Sequence, residues 1–357
     1  YFGRLNASYH YGKQVDGLGA KSWNPDSKGK PVKAFHEKSL CTGDINHNWN
    51  AMHGEWNRGR NDGFVTVNGA SAMAYHDEDE LPYYYALADE YAIGDRYFAS
   101  VMTQTYPNRM YLFAATSMGH IKNDMPKTGD QFNQKTIFDL LSDHGVSWKY
   151  YPTDEDYLKI FGPSHKRGLK NVAKDADFKT DLAEGKLPQV TFLESSEELG
   201  QDEHPPSNIQ IGQAWVGERL DALMKSKYWE KTAVFFVYDE AGGYFDHVAP
   251  PEACAPDDVA PLLGQGNLPG GFDRYGFRVP FLAISPYAKR HYVSHVTYDH
   301  TSILKFIETK FNLPALTRRD ANAVAPLDLF DFAKPPKHQK LPSYAVDPAR
   351  AKLCKKD

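Results

Sequence analysis

The stretch that decides the fold is TAVFFVYDEAGGYFDH, residues 232–247. Its first half is a run of β-branched and aromatic residues, which predicts a fully buried strand. The run ends in two adjacent carboxylates, Asp239 and Glu240, and the pair Gly242 and Gly243 then allows the chain to turn. Ligands of open α/β sheets bind beyond the carboxyl ends of the strands. Because two acids at the rim of a core strand are costly to desolvate, this pair predicts a divalent metal site, against the alternative of an ordinary solvated strand end.

Helical and strand patterns alternate through the middle and later parts of the chain. Strand patterns occur at 146–151, 189–193 and 279–285, and helical patterns occur at 134–143, from 207 onward and at 301–312. This order predicts a three-layer α/β/α sandwich with a mostly parallel central sheet. We expect a single domain over residues 1–332, with a lysine-rich, lid-like insertion at 153–187, and an extended C-terminal tail at 333–357.

Composition narrows the classes of partner. The 357 residues include 41% hydrophobic and 24% charged residues, as in a globular protein with a large core. The net charge of −5 and the lack of a basic stripe argue against nucleic acid as a partner. No apolar run reaches the length of a transmembrane helix. The sequence carries no signal for an oligomeric state.

The cysteines and the first residue bear on processing. Cys41, Cys254 and Cys354 lie far apart and lack a zinc-type spacing, so one disulfide with a free thiol and three reduced thiols both fit. The chain begins at Tyr1 without a methionine, which indicates a processed or incomplete start.

A second chemical cluster, TQTYPNR at residues 103–109, contains the candidate nucleophile. Pro107 fixes the backbone just after Thr105, and Asn108 and Arg109 supply donors that we assign to substrate binding. A helical pattern follows, so the Thr105 hydroxyl is expected near a helix N-terminus, where oxyanions bind. A metal ion bound by Asp239 and Glu240 would lower the pKa of the Thr105 hydroxyl and so produce an alkoxide nucleophile. The alternative is an N-capping threonine with a proline in the first turn, and the pairing with the acids decides against it.

The same cluster separates phosphate from sulfate esters. Sulfatases use a similar x-x-Pro-x-Arg frame, but their nucleophile is an aldehyde hydrate made from Cys or Ser. Thr105 cannot be converted in that way, so phosphoester chemistry is favoured.

Histidines supply the candidate proton donors. His47 and His53 lie in the polar and aromatic stretch 44–64, His204 stands in the sequence EHPPS, and His247 closes the metal-strand motif. Phosphoester cleavage needs cationic or proton-donating groups around the leaving oxygen. We assign that task to His47 and His204, and we assign His53 to substrate binding.

Several motifs together resemble the bacterial phosphoesterase family that contains phospholipases C and acid phosphatases, within the alkaline-phosphatase-like superfamily. The matching elements are YFG at 1–3, the stretch 47–64, TYPNR at 105–109, EHPP at 203–206, the stretch 238–248 and YDHTS at 298–302. The resemblance implies one divalent metal ion (Ca, Zn, Mg or Mn) bound by Asp239 and Glu240, with Thr105 as nucleophile. It also implies that His47 and His204 hold the phosphate and protonate the leaving group, and that the protein is periplasmic or secreted.

One departure from the family pattern concerns the metal. The family places a Glu-Asn pair, its other two protein ligands, in a segment just before the Tyr-Phe-Gly that here is residues 1–3. That segment is absent from this sequence, so the expected site is half built as given. A non-catalytic family member that lacks a complete metal site is therefore an alternative to an enzyme.

The sequence leaves the substrate class open between two activities. A threonine nucleophile and 22 tyrosines, which can cage a quaternary ammonium group, favour phospholipase C cleavage of phosphocholine-type esters. The short length and the lack of a lipid-docking extension favour an acid phosphatase acting on soluble phosphomonoesters. We place the phospholipase C activity first.

Overall fold

A computed structural model of the protein describes residues 1–9, 11, 14–19, 22–125, 132–338 and 340–346. The strands within these residues are β1 (Trp23–Pro25), β2 (Pro31–Lys33), β3 (Phe35–His36), β4 (Ala74–Tyr75), β5 (Ala92–Gly94), β6 (Trp148–Tyr151), β7 (Val190–Leu193), β8 (Val234–Val237), β9 (Phe281–Ile284) and β10 (Tyr292–Ser294). The α-helices are α1 (Leu5–Ser8), α2 (Trp49–Trp56), α3 (Phe64–Asn68), α4 (Pro82–Glu90), α5 (Thr105–Ala114), α6 (Ile137–Asp143), α7 (Gly162–Gly168), α8 (Asp175–Glu184), α9 (Ile209–Met224), α10 (His300–Phe311) and α11 (Arg318–Ala321).

The central sheet has four strands in the order β10-β5-β9-β8. Strand β10 is parallel to β5, whereas β9 is antiparallel to both of its neighbours. It follows that β5, β8 and β10 all point the same way and only β9 is reversed. The α/β class expected from the sequence is confirmed, and the single reversed strand is the exception to the parallel character of this sheet.

Strands β6 and β7 form a separate parallel pair. Glu194 directly follows β7, Asp239 lies two residues after the end of β8, and the two carboxylates bind the same arginine. The carboxyl ends of β7 and β8 therefore lie next to each other. The β6-β7 pair thus runs in the same direction as β5, β8 and β10.

Strand β8 is not the fully buried strand that its apolar sequence predicts. All four of its residues are half-buried. The reason is topological, because β8 is the last strand of its sheet and pairs only with β9 among the described residues. The prediction that the acids follow this strand at its carboxyl end is confirmed.

The main apolar cluster packs around the central sheet. The residues of β9 are completely or almost completely buried, and α10 turns Ile303, Leu304 and Ile307 toward the same cluster, as its helical pattern predicts. Helix α10 ends at Asn312, which adopts the left-handed conformation typical of a C-cap. The start of α9 differs from the prediction by one residue, because Asn208 and not Ser207 is the N-cap.

Residues 153–187 are largely helical. They contain α7 and α8 as well as short 3₁₀ turns, and Phe178 and Leu182 of α8 pack into an apolar cluster with Tyr151 and Leu223. The segment is thus an integrated part of the fold, and its predicted role as a lid stays a prediction.

The described part of the C-terminal tail lies against the body of the protein. The Tyr344 ring occupies the space where a side chain at Gly217 would stand, and it contacts the Tyr83 ring at 5.6 Å between centroids.

Cys41 is disulfide-bonded and Cys254 is a free, exposed thiol, which matches the alternative of one disulfide and one free cysteine. Cys354 lies outside the described residues. Within the described ranges, every helix is too short or too polar to cross a membrane.

Candidate active site

Helix α5 begins at Thr105, which is half-buried. The N-cap is Gln104, and its side chain makes no capping bond, so the alternative of an N-capping threonine does not describe this helix. The backbone amide of Tyr106 donates to the Asn123 side chain at 2.7 Å. The predicted position of the Thr105 hydroxyl at the start of a helix is therefore correct.

Asn108 fixes the loop that leads into α5. It is completely buried, and its Oδ1 accepts from the backbone N–H of Val101 at 3.0 Å. Its Nδ2 donates to the carbonyl oxygens of Val101, Thr103 and Gln104. The sequence predicted that the side-chain amide of Asn108 binds the substrate. In the structure its hydrogen bonds fix the backbone immediately before Thr105.

Arg109 joins α5 to two strand ends. Its Nε donates to Asp239 Oδ2 at 3.0 Å and its Nη1 donates to Glu194 Oε2 at 2.6 Å. The guanidinium also lies over the Tyr157 ring at 3.9 Å from the centroid. The sequence predicted that Arg109 binds the substrate. In the structure its guanidinium donates to two carboxylates and thereby positions Asp239. Since Thr105 lies one turn before it on the same helical face, the start of α5 is directed toward the acid pair.

One backbone and one side-chain hydrogen bond hold the acid pair. Glu240 Oε2 accepts the N–H of Gly242 at 2.7 Å, within the glycine turn that the sequence predicts. The carbonyl oxygen of Asp239 accepts from His300 Nε2 at 2.7 Å. Burial, followed by the neighbouring Asp239, raises the pKa of Glu240 to about 8. Two carboxylates this close favour either a retained proton or a bound cation.

His47 and His204 face each other beside the acids. The Nδ1 atoms of the two rings contact the backbone carbonyls of Ile45 and Pro205, each at 2.7 Å. The ring centroids are 5.4 Å apart, and His47 Nε2 is 3.7 Å from Glu240 Oε1. Because a neutral imidazole that donates from Nδ1 has its lone pair on Nε2, both rings are oriented to present Nε2 to the site.

Asp44, the first residue of the stretch 44–64, is a site residue to which no role was assigned from the sequence. One donor atom each of Asp44, His47 and His204 lies within 4.8 Å of the others, a spacing that a metal ion can bridge. These three residues and the acid pair, Asp239 and Glu240, all line one cavity of about 300 Å³. The structure thus brings together four predicted site residues and adds a third carboxylate.

Glu203 supports the site from the interior. The hydroxyls of Tyr1, Tyr84 and Tyr238 all donate to its carboxylate. Burial raises the pKa of Glu203 to about 7, although the three phenols oppose this shift. Glu203 immediately precedes His204, so the tyrosine cluster fixes the backbone from which that imidazole projects.

Four predicted site residues do not line this cavity: Asn108 and Arg109, described above, and His53 and Thr105. His53 is buried on α2, where its Nδ1 contacts the carbonyl of Trp49 at 2.7 Å and its ring stacks on the Trp49 indole. Burial lowers the pKa of His53 to about 4, as expected for a neutral structural histidine. Thr105 does not line the cavity either, and its link to the site runs through Arg109.

The donor set fits a divalent cation. The side chain of Glu240 is 5% exposed, and among the described residues one guanidinium, shared with Glu194, forms an ion pair with the acid pair. Carboxylate oxygens suit hard ions such as Ca, Mg and Mn, whereas the addition of imidazoles suits Zn. Asp239 and Glu240 are the residues that would hold the ion, with Asp44 as an additional oxygen donor.

The supporting roles of His300, Glu194 and Glu203 were not predicted. The three residues differ in how clearly the sequence could have indicated them. His300 stood in a quoted motif, and its position just after a capping aspartate was visible. Glu194 directly follows the strand pattern at 189–193, which is the signal that the sequence offered for it. The tyrosine donors to Glu203 come from three distant parts of the chain, so no local pattern could have indicated that cluster.

The chain is similar to known proteins over most of its length. A model of the phosphoesterase family matches residues 1–314. Phospholipase C B of Mycobacterium tuberculosis is 32% identical over 353 residues, which cover 84% of this chain and 66% of that protein. Non-specific phospholipase C1 of Arabidopsis thaliana is 33% identical over 349 residues, which cover 86% of this chain and 64% of that protein. The chain thus spans about two thirds of the length of these relatives.

Solved structures give weaker similarity. A protein of the alkaline phosphatase superfamily from Vibrio parahaemolyticus aligns with a TM-score of 0.45 at 12% identity, covering 88% of this chain and 77% of that chain. Murine ectonucleotide pyrophosphatase/phosphodiesterase 5 aligns with a TM-score of 0.43 at 13% identity, covering 70% of this chain and 95% of that chain. On the evidence of the family model, which covers most of its residues, this chain belongs to the phosphoesterase family.

Proposed function

We propose that this protein is a phosphoester hydrolase of the phospholipase C type, with Thr105 as nucleophile and a divalent metal ion at Asp239 and Glu240. The observation that carries the proposal is the bond from Arg109 to Asp239, which ties the helix that begins at Thr105 to the acid pair. The names of the relatives, all phospholipases C, support the same reaction class.

The phosphate would bind between the start of α5 and the acid pair. The dipole of a helix N-terminus favours an anion at this position. When bound, the metal ion would supply positive charge that stabilises the phosphate oxygens and lowers the pKa of the nucleophilic hydroxyl. Asn108 would fix the loop before Thr105, and Arg109 would fix Asp239.

The reaction would proceed in two displacements. The Thr105 oxygen forms a bond to phosphorus as the bond to the leaving alcohol breaks, and His204 or His47, in the protonated form, gives its proton to that alcohol. Water then attacks the phosphothreonine, and the same imidazole takes a proton from that water. The bond between phosphorus and the Thr105 oxygen breaks, that oxygen takes back from solvent the proton that it released to solvent before its attack, and the phosphate product leaves, so atoms and charges balance over the cycle.

The substrate class would be phosphocholine-type esters, with soluble phosphomonoesters as the alternative. We measure hydrolysis of p-nitrophenylphosphorylcholine and of p-nitrophenyl phosphate, which share one leaving group and differ in the retained group. Faster turnover of the choline diester supports the phospholipase C assignment, whereas a strong preference for the monoester would replace it with acid phosphatase activity. We also expect the protein to be periplasmic or secreted, where such substrates are encountered.

A further inference from the structure

An uncharged surface loop, residues 259–272 with the sequence VAPLLGQGNLPGGF, lies between the metal-strand motif and β9. It contains no Asp, Glu, Lys, Arg or His, although charged residues make up 24% of the chain. Four of its aliphatic side chains are 41–60% exposed: Val259, Leu262, Leu263 and Leu268. Single exposed apolar residues are ordinary, but a group of them on one uncharged loop indicates an interaction surface.

The base of the 259–272 loop is fixed to the protein at two places. Phe272 packs in a buried cluster with Trp49 of α2, and the Trp49 indole N–H donates to the carbonyl oxygen of Leu268 at 2.9 Å. The N–H of Leu262 donates to the carbonyl oxygen of Gly119 at 2.8 Å. The exposed leucines therefore stand on a backbone that the rest of the protein holds in position.

These two anchors lie beside the two halves of the candidate active site. On α2, Asn50 accepts from the loop backbone at 2.8 Å and stands three residues after His47. The other anchor is the segment 116–125, in which the Asn123 side chain accepts the backbone N–H of the residue that follows Thr105, at 2.7 Å. The loop thus joins the element that positions the candidate acid to the segment that contacts the candidate nucleophile's helix.

The tip of the loop already pairs much of its own backbone. The N–H groups of Leu262 and Leu263 both donate to carbonyl oxygens. The N–H of Gly264 donates to Asn267 Oδ1 at 2.7 Å, and the N–H of Asn267 donates back to the carbonyl oxygen of Gly264 at 3.1 Å. Unpaired backbone groups are the main cost of moving a loop from water into an apolar layer. For these four amides that cost is already met within the protein.

The charges around the loop select an electrically neutral surface. Asp257 and Asp258 directly precede it, and the net charge of the chain is −5. Two neighbouring cations are paired with acids, Arg318 with Asp258 at 2.8 Å and Lys122 with Asp124 at 4.0 Å. Anionic membranes attract an excess of basic residues, which this arrangement does not offer. A zwitterionic phosphatidylcholine surface has no net charge, so it matches an uncharged aliphatic loop.

We propose that the 259–272 loop docks on the surface of a phosphatidylcholine bilayer, with its four exposed aliphatic side chains inserted among the lipid headgroups and upper acyl chains. Docking would hold the His47 and Thr105 elements against the layer in which a phospholipid ester lies. The choice of this lipid rests on the proposed phospholipase C function, whereas vesicle binding can be measured apart from hydrolysis.

Vesicle sedimentation tests the docking. The native protein should pellet with sucrose-loaded phosphatidylcholine vesicles, and Leu262→Gln should weaken this binding roughly tenfold, because the bilayer no longer buries a leucine side chain there. Leu169→Gln is the matched control. Leu169 is 57% exposed, close to the 60% of Leu262, but it follows α7, so its replacement should leave the binding unchanged. Urea unfolding verifies that both variants fold.

Hydrolysis separates the docking from the proposed function. Leu262→Gln should reduce cleavage of phosphatidylcholine vesicles by a similar factor and leave turnover of soluble p-nitrophenylphosphorylcholine unchanged. If the native protein binds the vesicles through Leu262 but cleaves neither substrate, the docking is supported and the proposed function fails. If it cleaves the soluble ester but does not bind the vesicles, the docking is overturned and the proposed function stands.

Three further outcomes would also overturn the docking proposal. The first is equal vesicle binding by the native protein and Leu262→Gln. The second is binding that requires phosphatidylserine, because the loop is argued to select a neutral surface. The third is a dimer in sedimentation velocity that Leu262→Gln dissociates, without vesicle binding, which would assign the loop to a second copy of this chain.

Discussion

Arg109 Nε lies 3.0 Å from Asp239 Oδ2, and through this bond the helix that begins at Thr105 is fastened to the end of β8. The second bond of the guanidinium, to Glu194, fastens the same helix to the end of β7. One side chain therefore sets the relative positions of the candidate nucleophile and the candidate metal ligands. The predictions below test this arrangement and the chemistry that it supports.

Arg109→Ala should destabilise the protein and abolish most turnover. Removing Arg109 leaves two half-buried carboxylates uncompensated, which costs about 2–4 kcal/mol of unfolding free energy. We expect kcat to fall by roughly two orders of magnitude or more, because Asp239 loses its support. Urea unfolding and steady-state kinetics measure the two effects.

The control for this variant is Arg167→Ala. Arg167 also pairs with a carboxylate, Asp139, but its side chain is 53% exposed, so its loss should cost about 1 kcal/mol or less. Equal stability and equal kcat for Arg109→Ala and the native protein would show that the link between α5 and β8 is not needed.

His204→Asn should impair turnover in a way that depends on the leaving group. A general acid contributes about 10²–10⁴-fold when the leaving alcohol is a poor one, and much less when the alcohol leaves without a proton. We expect a large loss of kcat/KM on an alkyl phosphodiester and a small loss on the p-nitrophenyl ester. His47→Asn, measured on the same pair of substrates, shows which imidazole donates the proton. If both variants lose the same factor on both substrates, neither histidine is the acid.

Removal of divalent metal should abolish activity. Asp239 and Glu240 provide oxygen donors, and within the described part of the chain they share one guanidinium, that of Arg109, with Glu194. Dialysis against EDTA should therefore leave an inactive protein, and titration with Ca, Mg, Mn and Zn should identify the ion that restores turnover. Glu240→Gln should weaken that titration. Full activity in metal-free protein, confirmed by elemental analysis, would eliminate the metal from the mechanism.

Glu308→Gln should change how stability depends on pH. Glu308 is 2% exposed, and burial, followed by the Asp320 carboxyl beside it, raises the pKa of Glu308 to about 9 from the ordinary value of 4.5. Between these two values the folded protein retains a proton that the unfolded chain releases, so native stability decreases as the pH rises through this window. The neutral glutamine removes this contribution. The variant should be more stable than the native protein by about 1–3 kcal/mol at pH 8, and the two should converge near pH 4.5.

Glu184→Gln is the matched control for that pH experiment. Glu184 is exposed at the end of α8, so its replacement should change the unfolding free energy by less than about 0.5 kcal/mol at any pH. A Glu308→Gln variant that parallels the native protein from pH 5 to pH 9 would show that Glu308 ionises freely in the folded state.

Local patterns were sufficient to predict the elements that build the site. The strand before Asp239, the helix after Thr105 and the amphipathic pattern of α10 all follow from neighbouring residues, and the structure has each within a few positions. The glycine turn after the acids follows from the sequence in the same way, because both glycines adopt positive φ angles that other residues rarely adopt.

The parts that failed depend on contacts between distant segments. His53 lies in the same stretch, 44–64, as His47. In the structure its ring stacks on Trp49 within α2, and the hydrophobic pattern of the sequence does not reveal this orientation. The protein contacts of Asn108 and Arg109 could not be predicted, because a polar donor can serve a ligand or the protein equally well, and their assignment to substrate binding stays a prediction. Only the tertiary structure shows that the partners of Arg109 are Glu194, 85 residues away, and Asp239, 130 residues away.

The measurement that tests the central claim most directly is the trapping of a covalent intermediate on Thr105. The protein is mixed with p-nitrophenylphosphorylcholine, quenched in acid within milliseconds, digested and examined by mass spectrometry. The account predicts a phosphocholine adduct on the peptide that contains Thr105, and its loss in Thr105→Ala, which should fold normally and release no p-nitrophenol. The exposed Thr66→Ala variant should retain both the adduct and the turnover. An adduct on another residue, or turnover by Thr105→Ala at the native rate, would contradict the account.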